Sequence, residues 1–362
     1  MWYLFVPIDQ AVLLLYCSSV SQHRLACSFG PRDMQGFATS IGPVTAITAT
    51  TKTTTHAHQS SRSQLSTHAV SCLTAVGRLG RLVDGCIPID INTTVRYAVK
   101  CLSKLTSDGA PVEPKQADDQ QREIRLHYLV SAHPNITQMF NIVDDPDCIF
   151  IILEYCPEGD LFVNITGHDQ YVRHDELSKS VYLQILRAVE HCHHLQVYHR
   201  DLKPENILVT DHGYTVKLFD FGLATSDARS DDFGCGSRFY MSPESLERSS
   251  GRNYYLCAPS DVWSLGIILV NLTCGSNPWT VATIEDSAYR EYGRSEGFLK
   301  SILPLSDAMN DILRCALEPD PELRVTISGL RKMVEACSTL TVPAVHVVLP
   351  LRDGWFAENS LP

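Results

Sequence analysis

Two acid-bearing motifs, "YHRDLKPEN" at 198–206 and "FDFG" at 219–222, stand at the two ends of one short hairpin. Between them Asp211, His212 and Gly213 supply turn chemistry joining two β-rich runs, "ILV" and "TVKLF". Residues of these types suit phosphoryl transfer, which needs little covalent help but much positioning and charge neutralisation. Asp201 is suited to orient an attacking hydroxyl and accept its proton. Asn206, five residues on, and Asp220 offer oxygens for Mg²⁺, and Lys203 offers a cation to steady the transferring phosphate.

The remainder of the chain bounds where that chemistry can sit. At 362 residues and 44% hydrophobic content the chain can bury one large two-lobed core or two ordinary domains. A net charge of -11 argues against broad attraction to nucleic acid or anionic lipid. The 13 cysteines are scattered singly without a CxxC pair, so a reducing, cytoplasmic or nuclear setting is expected. Met1 to Tyr16 is apolar but lacks a basic start and carries Asp9, so it does not read as an export signal. No later apolar run is long enough to cross a bilayer, Val262 to Leu272 being too short.

Residues 1–72, rich in Thr, Ser, Ala and His toward their end, read as a disordered or divergent leader. A sheet-rich half is expected over 73–155, with strands at Val95 to Cys101 and in "CIFIILEY", and a helix in "QREIRLHYLVSAHPNI" between them. A helical half is expected over 156–340, with Val181, Ile185, Leu186 and Val189 on one helix face, before a tail at 341–362. The four histidines His191, His193, His194 and His199 invite a metal reading. They lack converging ligands to complete it, and read better as solvated or packed.

From about Tyr97 to Arg324 the motifs resemble, in order, those of the eukaryotic protein kinases, serine/threonine branch. The resemblance implies an α+β, two-lobed kinase fold with an antiparallel-sheet N-lobe, a mainly helical C-lobe and a site in the cleft between them. It implies transfer of the γ-phosphate of Mg-ATP to protein Ser or Thr hydroxyls. Lys100 of "YAVK" would meet the α/β-phosphates, with Glu123 as its ion-pair partner. Leu153 would guard the rear of the adenine pocket, Glu154 to Cys156 would form the hinge that bonds adenine, and Asp160 would meet the ribose. Glu244 of "SPE" would pair with Arg324, Asp261 would brace the catalytic loop, and Ser237 would contact Asp201 and Lys203. The wording of "DINTTVRYAVKCLSK" and "GCGSRFYMSPES" is similar to a fungal group acting in nutrient responses and control of meiosis.

One stretch departs from the family pattern. The glycine loop should fall at 78–83, yet "RLGRLV" keeps only Gly80 in register, and bulky side chains hinder backbone approach to phosphate oxygens. A second reading is therefore a catalytically impaired kinase-fold protein that binds partners. On the first reading the chain is a monomer acting on protein substrates, with no nucleic-acid or membrane partner. Asp160 and Glu205 resemble acidic positions that bind arginine upstream of the phosphoacceptor, with Asn271 neutral at a third. If a phosphate orders the segment after Gly222 by pairing with Arg200, Ser226 or Ser230 is expected to carry it. The acidic Asp227, Asp231 and Asp232 offer order without phosphate.

Overall fold

The structure is a computed structural model that describes residues 2–8, 11–17, 71–76, 96–167, 170–248 and 253–342. The chain forms two compact units, one of residues 1–117 with 139–155 and the other of 118–138 with 156–362.

The first unit is built on a six-stranded antiparallel sheet. Its strands are β1 (Trp2–Ile8), β2 (Ala11–Cys17), β3 (Ser71–Val76), β4 (Arg96–Ser103), β5 (Met139–Asp144) and β6 (Cys148–Glu154), in the order β1-β2-β3-β4-β6-β5. On β4, Tyr97 and Val99 alternate inward and pack with Ile152 and Phe150 of β6. Lys100 breaks the apolar rule: it is only 2% exposed, and a buried lysine in a strand needs a charge or hydrogen-bonding partner to be tolerated. Within the leader expected over 1–72, β1 and β2 pair from Trp2 with Cys17 to Ile8 with Ala11, and β2 continues onto β3. The run at 2–17 is apolar but lacks the basic start of an export signal. Its aromatic and β-branched residues, among them Tyr3, Val6, Ile8 and Val12, suit a pleated strand. Residues 18–70, and with them most of the Thr/Ser-rich stretch, lie outside the described residues, as do 77–95 with Gly80 and the rest of 78–83.

The second unit is organised by two long helices. The one at Asp175–His194, α3, buries Val181, Ile185, Leu186 and Val189, the stripe expected from the sequence. The other, α5 at Cys257–Cys274, is buried on every side, and Tyr182 of α3 donates its hydroxyl proton to Leu265 O at 2.9 Å. It is longer than the Val262–Leu272 run read from the sequence, and by length and composition alone it could cross a membrane. Burial in this core accounts for that apolarity without one. Gly266 lets the neighbouring chain come close, since a Cβ there would lie 2.8 Å from Leu317 Cδ2. Around this pair stand α1 (Pro114–Val130, shared with the first unit), α2 (Leu161–Thr166), α4 (Pro243–Leu246), α6 (Ser287–Tyr292), α7 (Phe298–Ile302), α8 (Asp307–Ala316) and α9 (Ile327–Ala336). Two small ladders complete it: β7 (Ile207–Thr210) with β8 (Thr215–Leu218), the expected hairpin, and β9 (Arg229–Ser230) with β10 (Tyr255–Leu256).

Candidate active site

After α3 the chain turns at Gln196 and runs beside the segment that follows β8, Tyr198 and Thr225 exchanging backbone hydrogen bonds at 2.9 and 3.0 Å. Asp261, 1% exposed on α5, fixes the loop from below. Its carboxylate accepts the backbone N–H of His199 at 2.9 Å and of Arg200 at 2.8 Å, and His193 Nε2 at 2.9 Å. Arg200 has φ 63, a left-handed conformation that a long side chain adopts at a cost. The two backbone bonds to a buried carboxylate hold it there.

That turn delivers Asp201 into a dense set of donors. Asp201 Oδ2 accepts Lys203 Nζ at 2.9 Å and Asn206 Nδ2 at 3.1 Å, while Oδ1 accepts the backbone N–H of Ser237 at 2.9 Å. Lys203 Nζ also reaches Ser237 Oγ at 2.8 Å, as expected of that serine. Ser237 comes this near because Gly236 precedes it with φ 121, where a Cβ would stand 2.9 Å from Arg200 O.

The second motif is tied to the first by Phe219 N–H donating to Asn206 O at 3.0 Å and by His199 Nε2 donating to Phe219 O at 3.1 Å. Phe221 is fully buried and stacks on His127 at 4.9 Å and against His199 at 5.1 Å. Asp220, at φ 63, therefore projects from a fixed backbone. Glu123 on α1 is 6% exposed, and its carboxylate stands close enough to Gly222 that a Cβ there would lie 3.4 Å from Oε2. Asn206 spends its amide protons on Asp201 O, at 2.9 Å, and Oδ2, which turns its side-chain oxygen away as an acceptor. Asn206 and Asp220 thus offer hard oxygen donors of the kind Mg²⁺ takes from a protein when phosphate and water complete its shell. Among the described residues no group of three or more His, Cys, Asp or Glu could hold a metal ion; within the histidine cluster His193 bonds Asp261 and His199 bonds Phe219 O, while His191 Nε2 is buried without a hydrogen-bond partner among the described residues.

Asp201, Lys203, Asn206, Asp220 and Glu123 all belong to the second unit, as do Cys156 and Asp160. Asp160 caps α2, accepting Val163 N–H at 2.9 Å, and burial pushes its carboxyl above the ordinary range. Lys100, Leu153 and Glu154 belong to the first unit, with Leu153 opposite Ala98 and Glu154 opposite Tyr97 in the sheet. The expected pair of Glu244 and Arg324 is present and bidentate, at 2.6 and 3.0 Å. Two details lie beyond the sequence reading: His193 is the third donor to Asp261, and of the three acids after Gly222 it is Asp232 that pairs with Arg200, at 3.1 Å.

The profile described as "Protein kinase domain" matches residues 77–334. The "Negative regulator of sexual conjugation and meiosis" of Schizosaccharomyces pombe is 43% identical over 271 residues, covering 70% of this chain and 57% of that protein. The serine/threonine-protein kinase VHS1 of Saccharomyces cerevisiae is 39% identical over 233 residues, covering 61% and 50%, and SKS1 of the same yeast is 36% identical over 233 residues, covering 61% and 46%. The chain spans about half the length of these curated relatives.

Proposed function

This chain belongs to the protein kinase family, and from that premise we propose that it transfers the γ-phosphate of Mg-ATP to serine and threonine hydroxyls of proteins. The observation that carries the reading is the bonding of Asp201. An ionised carboxylate offers about four acceptor sites. Three are filled by Lys203, Asn206 and the Ser237 N–H, which leaves a site on Oδ1 for a substrate hydroxyl. Asp201 then holds that hydroxyl in line and takes its proton as the oxygen attacks. Lys203, already beside Asp201, offsets negative charge that develops on the transferring group. Mg²⁺ held by Asn206 and Asp220 would neutralise phosphate charge when bound. Lys100 is assigned to the α/β-phosphates, Leu153, Glu154 and Cys156 to adenine, Asp160 to ribose and Gly80 to the loop over the phosphates. No observation favours the impaired, binding-only alternative.

The substrates we assign are proteins whose phosphoacceptor is preceded by arginine. Glu205 supports this: its Oε2 is buried with no hydrogen-bond partner among the described residues. Burial raises its carboxyl, the Lys203 charge opposes that, and the Asp160 and Asp201 charges add to it. An orphaned carboxylate oxygen among acids is relieved by a guanidinium, which pairs with two oxygens at once. Because the carboxyl is raised, it must lose its proton to bind the cation, so arginine preference is present above its pKa and fades as pH falls through it. Glu205→Gln is expected to raise KM for an arginine-containing peptide by about tenfold, the loss of one charge-assisted hydrogen bond, with kcat little changed. A peptide-library scan with no basic enrichment upstream of Ser or Thr contradicts the assignment.

The compartment we assign is the cytoplasm or nucleus, a reading supported by Cys192 and Cys257, which are buried thiols of the kind a reducing setting preserves. The acidic balance supports action as a monomer on other proteins, away from nucleic acid and membrane. The test of the reaction itself is incubation with γ-labelled ATP, Mg²⁺ and mixed peptides, followed by phosphoamino-acid analysis. Label on phosphoserine or phosphothreonine is expected, and label confined to phosphotyrosine refutes the stated acceptor.

A further inference from the structure

We propose that Asp232 is a positioning residue for phosphoryl transfer, its carboxylate pairing with Arg200 so that the segment after Gly222 is held in working order without a phosphoryl group. The inference rests on the transferase reading above.

Arg200 is the joint between three parts of the site. Its backbone lies between His199 and Asp201 and is clamped by Asp261. Its Nε donates to Leu223 O at 2.7 Å, just beyond the Asp220 motif. Its Nη1 donates to Ser230 Oγ at 2.6 Å and Asp232 Oδ2 at 3.1 Å, on the segment that leads to Ser237. The guanidinium is 4% exposed, so it requires a counter-charge as well as hydrogen bonds. Asp232 supplies the charge.

The backbone path puts Asp232 there without outside help. Ser230 pairs with Tyr255 across the β9–β10 ladder, and Cys257 N–H donates to Ala228 O at 3.0 Å. The Asp232 N–H donates to Ser230 Oγ at 3.2 Å, and Gly234 N–H to Ser245 O at 2.9 Å. The Ser230 hydroxyl is thus already engaged by Arg200 and by Asp232 N–H, and the residue is 8% exposed. Ser230 serves as a strut for Arg200 in this arrangement and offers an enzyme no open hydroxyl. A carboxylate brings one charge where a phosphate brings about two, but it is present from the moment the chain folds.

The test uses the full chain treated with a broad-specificity phosphatase and shown phosphate-free by mass spectrometry. Wild type, Asp232→Asn, Asp232→Glu and Asp231→Asn are compared in peptide phosphorylation and in hydrogen exchange over 228–234. Phosphate-free wild type is expected to keep its rate and its protection. Asp232→Asn should lose about tenfold in kcat, the value of one charge-assisted bond, with KM for ATP within about twofold, and should exchange faster over 228–234. Asp232→Glu should restore most of both, and Asp231→Asn, changed at an exposed neighbour, should match wild type. Loss of wild-type rate or protection on phosphatase treatment overturns the proposal, as does an Asp232→Asn protein that exchanges like wild type. A wild type that transfers no phosphate before or after treatment refutes the transferase reading instead, and the exchange comparison still decides the role of Asp232.

Discussion

Asp220→Asn is expected to lower phosphoryl transfer by about 10²–10³-fold, the loss typical when one preorganised electrostatic group is removed, while the fold stays intact. The substitution takes a negative charge from the proposed Mg²⁺ ligands with almost no change of size. Asp220 has φ 63, and asparagine is one of the few residues that tolerates that conformation, so backbone strain does not increase. The neighbouring anchors remain: Phe221 stays between His127 and His199, and Phe219 stays bonded to Asn206. Rates in saturating Mg²⁺ and a denaturation curve on the same preparation separate the two claims. Undiminished turnover at saturating Mg²⁺ contradicts the metal assignment.

The largest effect on stability is expected at Glu244. Arg324, 5% exposed, receives both oxygens of Glu244 in a fork and lies 5.0 Å from the Trp263 ring centroid. Glu244→Ala leaves a buried guanidinium without its counter-ion, a defect worth about 3–5 kcal/mol. The lower end is expected, because Arg324 keeps the carbonyls of Pro259 at 2.8 Å and Glu318 at 2.8 Å. In urea the midpoint should fall with little change of slope. Replacing both partners, Glu244→Leu with Arg324→Met, should recover part of the loss, since no charge is then stranded. Because Glu244 opens α4 and Ser245 O accepts the Gly234 N–H, the single variant should also loosen the segment leading to Ser237. A midpoint equal to wild type contradicts the role given to the pair.

Much of this site was legible in the chain because its residues sit in short motifs. Asp201, Lys203 and Asn206 fall within six residues of one another, and the hairpin returns Asp220 to them. The bracing by Asp261 and the pairing of Glu244 with Arg324 were also expected, although they span long stretches of sequence, because the resemblance to kinases carried them. What escaped depends on backbone paths that side-chain identity does not encode. Three acids, Asp227, Asp231 and Asp232, follow Gly222, and only the β9–β10 ladder selects Asp232 for Arg200. His193 read as one of several solvated or packed histidines, and its bond to Asp261 arises from packing of α3 against the N-terminal half of α5. The strands at 2–8 and 11–17 were missed for another reason: their place in the sheet depends on the pairing of β2 with β3, which joins residues far apart in sequence and which an apolar run alone does not announce.

The most direct test of the assigned chemistry compares wild type and Asp201→Asn, side by side, for transfer of labelled γ-phosphate from Mg-ATP to a serine peptide bearing upstream arginine. Asparagine keeps the size of the side chain but loses the charge that Lys203 pairs with and the base that takes the hydroxyl proton. Steady labelling by wild type is expected, with a loss of at least about 10²-fold in the variant and ATP binding retained. Equal labelling by the two proteins would contradict the role assigned to Asp201.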